Sequence, residues 1–168
     1  MCTQLFDPKV DYIFKNIFGN ENHPKILISF LNACIKPESP ITSVKIKNTE
    51  LTKEYIEESF SRLDVLATTQ DGEIVNIEMQ RADEKNMVKR SLYYWSKIFS
   101  SAYQGKGRYS SLPRTICINV LDFNLLDEEH FHNTYILKNK ENNNLLTDTL
   151  ELHFVEIPKM KEIDQNDM

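Results

Sequence analysis

Apolar and polar positions follow two different periods along the chain. After Asp7 and Pro8, which suit an N-cap and a first helical position, Val10, Ile13, Phe14 and Ile17 recur at helical spacing as far as Gly19. A second helix is expected from about Pro24 to Ile35, with Leu27, Phe30, Leu31 and Cys34 on one face, before "KPESP" ends it. From Ile41 the period falls to two, and "ITSVKIKNTEL" reads as a strand whose lysines suit a sheet edge or a solvated face. Residues 62–80, "RLDVLATTQDGEIVNIEMQ", read as two strands around an Asp-Gly turn.

The stretch from Glu84 to Tyr103 returns to helical spacing, with Val88, Leu92, Trp95, Phe99 and Ala102 as the expected core-facing stripe, and "YQGKGRYSSLP" follows as a loop. "RTICINVLDF" is a nearly unbroken β-branched run, the pattern of a strand buried on both faces. "FHNTYILKN" and "LELHFVEI" are two more strands around "KENNN", and residues 159–168 form a polar tail. This order predicts an α/β or α+β layered fold, and the length fits one domain spanning residues 1–168.

The hairpin holds an anomaly. Leu63, Val65 and Ala67 alternate with Asp64, Leu66 and Thr68, while Val75, Ile77 and Met79 alternate with Asn76, Glu78 and Gln80. Packing both apolar sets into one core puts Asp64, Glu78 and Gln80 together on the opposite face, which is expected to be wet. A two-residue Asp71-Gly72 turn would pair Asp64 with core residue Met79, whereas a three-residue Gln70-Asp71-Gly72 loop pairs Asp64 with Glu78. The second register is the consistent one, and it needs glycine in the left-handed region. The two acids are then cross-strand neighbours with β-carbons roughly 5 Å apart.

Like charges so placed need a neutralising partner. Mg²⁺ is one: it takes one or two carboxylates, keeps several waters, and leaves room for a phosphate, which suits phosphodiester hydrolysis. The competing reading is a solvated hairpin face whose acids pair with Lys45, Lys47 or Arg62.

Charge and cysteine content narrow the function classes. A net charge of −5 argues against DNA binding by the whole surface. Yet residues 81–114 hold eight basic side chains (Arg81, Lys85, Lys89, Arg90, Lys97, Lys106, Arg108, Arg114) against two acids, Asp83 and Glu84. Cys2, Cys34 and Cys117 form no CxxC pair, so neither a disulfide framework nor a zinc knuckle is suggested, and a reducing cytoplasm is expected. No apolar run approaches a membrane span and no export leader is recognisable, so no membrane partner is expected. His130 and His132 could share a strand face, but no HExxH or CxxC partner accompanies them and no metal site is assigned there.

Asp64, followed fourteen residues later by Glu78-Met79-Gln80, resembles the D…(D/E)xK signature of the PD-(D/E)XK nuclease superfamily, and in particular the Rpn-type recombination-promoting nucleases, also described as transposases. The blocks "DPKVDYIFKNIFG", "LISFLNA", "IEMQ", "KRSLYYWSKIFSSAYQGKGRYSSLPRTICINVLDF" and "LHFVEIPK" resemble that family in order, over almost the entire chain. The resemblance implies a restriction-endonuclease-like core, a mixed β-sheet flanked by helices, and Mg²⁺-dependent DNA cleavage in recombination or mobile-element biology, with Mn²⁺ as a substitute. Asp64 and Glu78 would hold the metal, the Met79 carbonyl would add a ligand, and Gln80 would occupy the lysine position. A neutral amide there takes no proton, so its expected role is to orient water. It also fits the alternative of a catalytically weak or inactive nuclease-fold protein acting as a nucleic-acid-binding or protein-interaction module.

Asp11 and Lys15 of "DYIFK" resemble a family-typical pair near the site, against the plain reading of an exposed i, i+4 pair. DNA is the implied partner, with Lys89, Arg90, Tyr93 and Lys97 expected to contact phosphates from the helix after the hairpin. Family members run on past "FVEIPK", so a missing C-terminal helical extension is expected, one that would serve DNA binding or formation of a homodimer.

Overall fold

The computed structural model describes residues 11–47, 64–103 and 108–160, the first three of them through their backbone alone. The expected first-helix start at Asp7, Pro8 and Val10 lies outside the described residues, as do Arg62, Leu63, Lys106, Cys2 and the tail from residue 161.

Helix α1 (Asp11–Phe18) and helix α2 (Pro24–Ile35) form one layer. They meet where the Phe18 ring, tilted 4.7 Å from Phe14 of its own helix, comes within 5.0 Å of Phe30, centroid to centroid. Helix α2 has the expected bounds, with proline in its first turn and left-handed Lys36 (φ 49°) closing it onto the Asn32 carbonyl. The Asn32 side chain then fixes the exit of the chain: its amide nitrogen donates to the Ile41 carbonyl and its oxygen accepts from the Ile41 N–H, both at 2.8 Å. Ile41 is thereby held in the core.

Strands β1 (Val44–Lys47), β2 (Val65–Thr69), β3 (Ile74–Gln80), β4 (Thr115–Leu121), β5 (His132–Lys138) and β6 (Leu145–Glu156) make one six-stranded sheet among the described residues, in the order β1-β2-β3-β4-β6-β5. β1, β2 and β3 are antiparallel, β3, β4 and β6 run parallel, and β5 returns antiparallel to β6, so the sheet is mixed and flanked by helices, as expected. β1 is an edge strand with Lys45 and Lys47 exposed. β4, at the centre, is buried along its whole length.

One sheet face carries Val65, Ala67, Val75, Ile77, Met79, Ile116, Ile118 and Val120 beneath Phe14, Leu27 and Leu31. Leu27 and Leu31 are fully buried, and truncating either to alanine would cost about 2–5 kcal/mol. The other face carries Leu66, Ile74, Cys117, Leu121, Leu152 and Phe154 beneath helix α3 (Met87–Ser101), the crossover between parallel β3 and β4.

Two expectations are corrected here. The hairpin face bearing Glu78 is not wet: α3 covers it, and Asn76 and Glu78 are buried. Alternation marks a polar face, but a crossover helix can roof such a face when its polar groups find partners. Nor does α3 bury the expected stripe. Met87, Ser91, Tyr94 and Ile98 face the sheet, while Val88 and Leu92 are 44% and 43% exposed. The rotation follows from the polar groups below: Ser91 Oγ accepts from Asn119 Nδ2 at 2.8 Å, and the Trp95 indole N–H donates to the Thr115 carbonyl at 2.9 Å. Unsatisfied buried polar atoms cost more than two half-exposed aliphatic side chains.

Candidate functional site

The hairpin turn sets the register of the site. The Thr69 N–H donates to the Glu73 carbonyl and the Gly72 N–H to the Thr69 carbonyl, both at 3.0 Å, with Gly72 at φ +84°. This is the three-residue loop expected from Gln70-Asp71-Gly72, and Val65 pairs with Ile77 and Ala67 with Val75. Continued by one residue, that register sets Asp64 opposite Glu78. Since residues 69 and 73 are joined by a ladder bond, 64 and 78 form the other kind of antiparallel pair, the one whose side chains stand closer.

Asp64 sits just ahead of β2, and its Oδ2 accepts the Met79 N–H at 2.8 Å. The carboxylate thus takes the position of a ladder carbonyl on the β2 side of Met79. In a strand a residue's N–H and C=O point the same way, so the Met79 carbonyl faces that side too.

Each acid meets a cation from a different helix. Lys15 of α1 places Nζ 3.3 Å from Asp64 Oδ1, and Arg90 of α3 places Nε 3.6 Å from Glu78 Oε2. The two helices lie on opposite faces of the sheet and converge at the end of the hairpin. Arg90 also lies 4.0 Å from Glu84 and 5.5 Å over the Tyr94 ring. Burial pushes the Glu78 carboxyl up to about 7; Arg90 opposes the rise, Asp64 adds to it, and the Asn76 amide and Lys15 oppose it weakly.

Gln80 stands next along the same face, but its amide nitrogen donates to the Ala82 carbonyl at 3.1 Å, towards the following loop. Lys89, Tyr93 and Lys97 are exposed on α3, with Lys97 Nζ 5.6 Å over the Tyr93 ring. The Asp11 side chain lies outside the described residues. Lys15 is more than a plain surface residue, since it reaches Asp64.

Of the cations named in the competing reading, Arg62 lies outside the described residues, and the ion pairs of the acids seen within them are with Lys15 and Arg90 rather than Lys45 or Lys47. Arg90 follows from the basic helix, whereas Lys15 is 49 residues from Asp64 and needs the tertiary fold. Sequence reasoning also missed Ser91, on the buried side of α3, and Asn119 beneath it, which pairs with Glu78 across β3 and β4.

A separate polar cluster occupies the other sheet face. His153 Nε2 lies 2.6 Å from Glu151 Oε1, and its Nδ1 lies 2.9 Å from His132 Nε2 and 3.1 Å from Thr134 Oγ1. Arg114 bridges Glu73 at 2.9 Å and Glu151 at 2.5 Å. Glu151 is therefore held below the usual carboxylate range, since bonds from His153 and Arg114 outweigh its burial. His132 belongs to this cluster, and His130 is exposed.

Among the described residues no three His, Cys, Asp or Glu side chains gather as a metal-holding group. The donors at the hairpin end are two carboxylates and a backbone carbonyl. Those are oxygen donors of the kind Mg²⁺ accepts in this number when water completes its shell. The set fits such an ion, which would have to displace Lys15, Arg90 and, near neutrality, a proton on Glu78.

No described helix is long and apolar enough to cross a membrane. A profile of the PD-(D/E)XK nuclease family transposases matches residues 8–168. No curated protein and no solved structure matches the chain. The profile match spans every described element and agrees with a mixed sheet between helices, so the chain belongs to the PD-(D/E)XK nuclease family transposases and is a nuclease-fold protein.

Proposed function

We propose that this protein binds DNA along α3 and the adjoining hairpin end, and that its Asp64–Glu78 centre hydrolyses phosphodiester bonds slowly, so that binding is its principal activity. The observation that carries this reading is the internal neutralisation of both acids, Asp64 by Lys15 and Glu78 by Arg90. A divalent cation must compete with those two side chains, and position 80 offers a neutral amide where the family signature has lysine.

Asp64, Glu78 and the Met79 carbonyl would hold Mg²⁺ or Mn²⁺, which when bound supplies a polarised water and offsets charge on the scissile phosphate. The chain's own contribution is positional. Arg90, Lys89 and Lys97 meet backbone phosphates, Tyr93 offers a ring face beside them, and Gln80 orients a water without taking its proton. Burial under α3 keeps Glu78 partly protonated near pH 7, which lowers the population able to take a metal.

The test is binding of a fluorescent DNA duplex across a salt series, run beside plasmid nicking in Mg²⁺ or Mn²⁺. Three to four phosphate contacts give a slope of log affinity against log salt of about −3 to −4. Nicking is expected to be slow and to disappear in Asp64→Ala, Glu78→Ala. Absence of DNA binding would overturn the proposal. Rapid multiple-turnover cleavage would instead establish the second reading, a Mg²⁺-dependent endonuclease of recombination or mobile elements. That reading is favoured by the register that brings the two carboxylates together.

A further inference from the structure

We infer that Lys15 of α1 is a substrate-contacting side chain, which leaves Asp64 for a DNA phosphate and provides the positive charge that position 80 lacks. The inference rests on the DNA-binding reading above and extends it to a helix on the opposite face of the sheet from α3.

Placement is the first ground. The Lys15 side chain is 33% exposed and Asp64 only 13%, so the lysine is the more accessible member of the pair. Of the two, Lys15 offers more of its surface to an anion from solvent. The charge also reaches across the site, since Lys15 is among the groups acting on Glu78.

The second ground is the difference between the two cations. Arg90 is held by Glu78, Glu84 and the Tyr94 ring, so it meets a phosphate only from that fixed position, and its side chain is less exposed than that of Lys15. A lysine ammonium on a flexible four-carbon stem can move between a carboxylate and a phosphate oxygen without repacking the helix below it. The backbone beneath Lys15 is well anchored. Phe14 is buried in the core, and the Gly19 N–H donates to the Lys15 carbonyl at 2.7 Å. A β-carbon at Gly19 would lie 2.6 Å from that carbonyl oxygen, so only glycine lets the chain close so tightly on this residue. Meanwhile the Gln80 amide is turned to the Ala82 carbonyl, leaving the charge role to another element.

A double-substitution cycle separates phosphate contact from mere neutralisation of Asp64. DNA affinity is measured in chelator, without divalent ions, for the wild type, K15M, D64N and D64N/K15M, with thermal unfolding confirming that each is folded. In the D64N background Lys15 has no carboxylate to neutralise at position 64. Adding K15M there is expected to weaken DNA binding about tenfold at roughly 0.1 M salt and to reduce the salt slope by about one, while K15R retains both. An unchanged affinity and slope on adding K15M to D64N would overturn the inference and leave Lys15 as a counterion of Asp64. Failure of the wild type and D64N alike to bind DNA would overturn the DNA-binding reading itself, and this inference with it.

Discussion

Burial beneath α3 leaves Glu78 5% exposed and moves its carboxyl from 4.5 to about 7, because desolvation outweighs the attraction of Arg90. The folded state therefore holds a proton that the unfolded chain has released between those two values. Folding loses stability as pH rises through that window, and the full cost, about 3 kcal/mol, is reached above pH 7. Glu78→Gln keeps the size of the side chain and removes the titration. Urea unfolding should find this variant about 2–3 kcal/mol more stable than the wild type at pH 8 and nearly equal to it at pH 4.5. An equal difference at both pH values would show that Glu78 is not held protonated. A metal has to displace the same proton, so Mn²⁺ affinity measured by calorimetry is expected to climb from pH 6 to pH 8 by up to about tenfold per pH unit below 7.

At the scale of elements, the hairpin and α3 differ in what holds them in place. The hairpin is locally determined: alternation selects the core face, and Gly72 at φ +84° selects the loop length. Nothing lies within 4 Å of a β-carbon added at Gly72, so Gly72→Ala should cost only the backbone strain, about 1–2 kcal/mol in thermal or urea unfolding. The rotation of α3 is determined by what lies under it. Leu92→Lys should change stability by no more than about 0.5 kcal/mol, whereas Ile98→Ala should cost about 2–4 kcal/mol. The opposite ranking would restore the stripe of Val88, Leu92, Trp95 and Phe99 as the buried face. That stripe was the natural reading of the sequence, since Ser91 looks like a surface residue until Asn119 is brought beneath it.

For the molecule as a whole, the carboxyl ends of the parallel strands are tied together beside the candidate site. Gln80 pairs with Leu121 and Leu121 with Glu156, across three strands far apart in sequence. Glu156 is fully buried and accepts the Leu125 and Leu126 N–H groups at 2.5 and 3.0 Å and the Lys159 ammonium at 2.7 Å. Lys159 donates in turn to the carbonyls of Leu126 and Glu128. Burial alone would raise the Glu156 pKa, but Lys159 and the two N–H groups outweigh it and hold the carboxyl below 4.5. A depressed carboxyl stabilises the fold above its unfolded value and loses that contribution as pH falls through the folded one. Glu156→Gln is accordingly expected to cost about 1–3 kcal/mol at pH 7, with the gap to the wild type narrowing below pH 4 in chemical unfolding.

The order of helices and strands, the bounds of α2, the fully buried central strand and the pairing register of Asp64 with Glu78 could all be read from the order of the amino acids. These depend on short-range period, turn chemistry and the alternation of side chains, all of which are legible within a few residues. Long-range packing instead set α3 over Glu78 and brought Lys15 to Asp64 and Arg90 to Glu78. It also decided that Arg114, Glu151, His153 and His132 meet on the opposite sheet face. The reason is physical: a buried charge takes whichever partner the folded chain brings within a few ångströms, and spacing in the sequence carries no record of that distance.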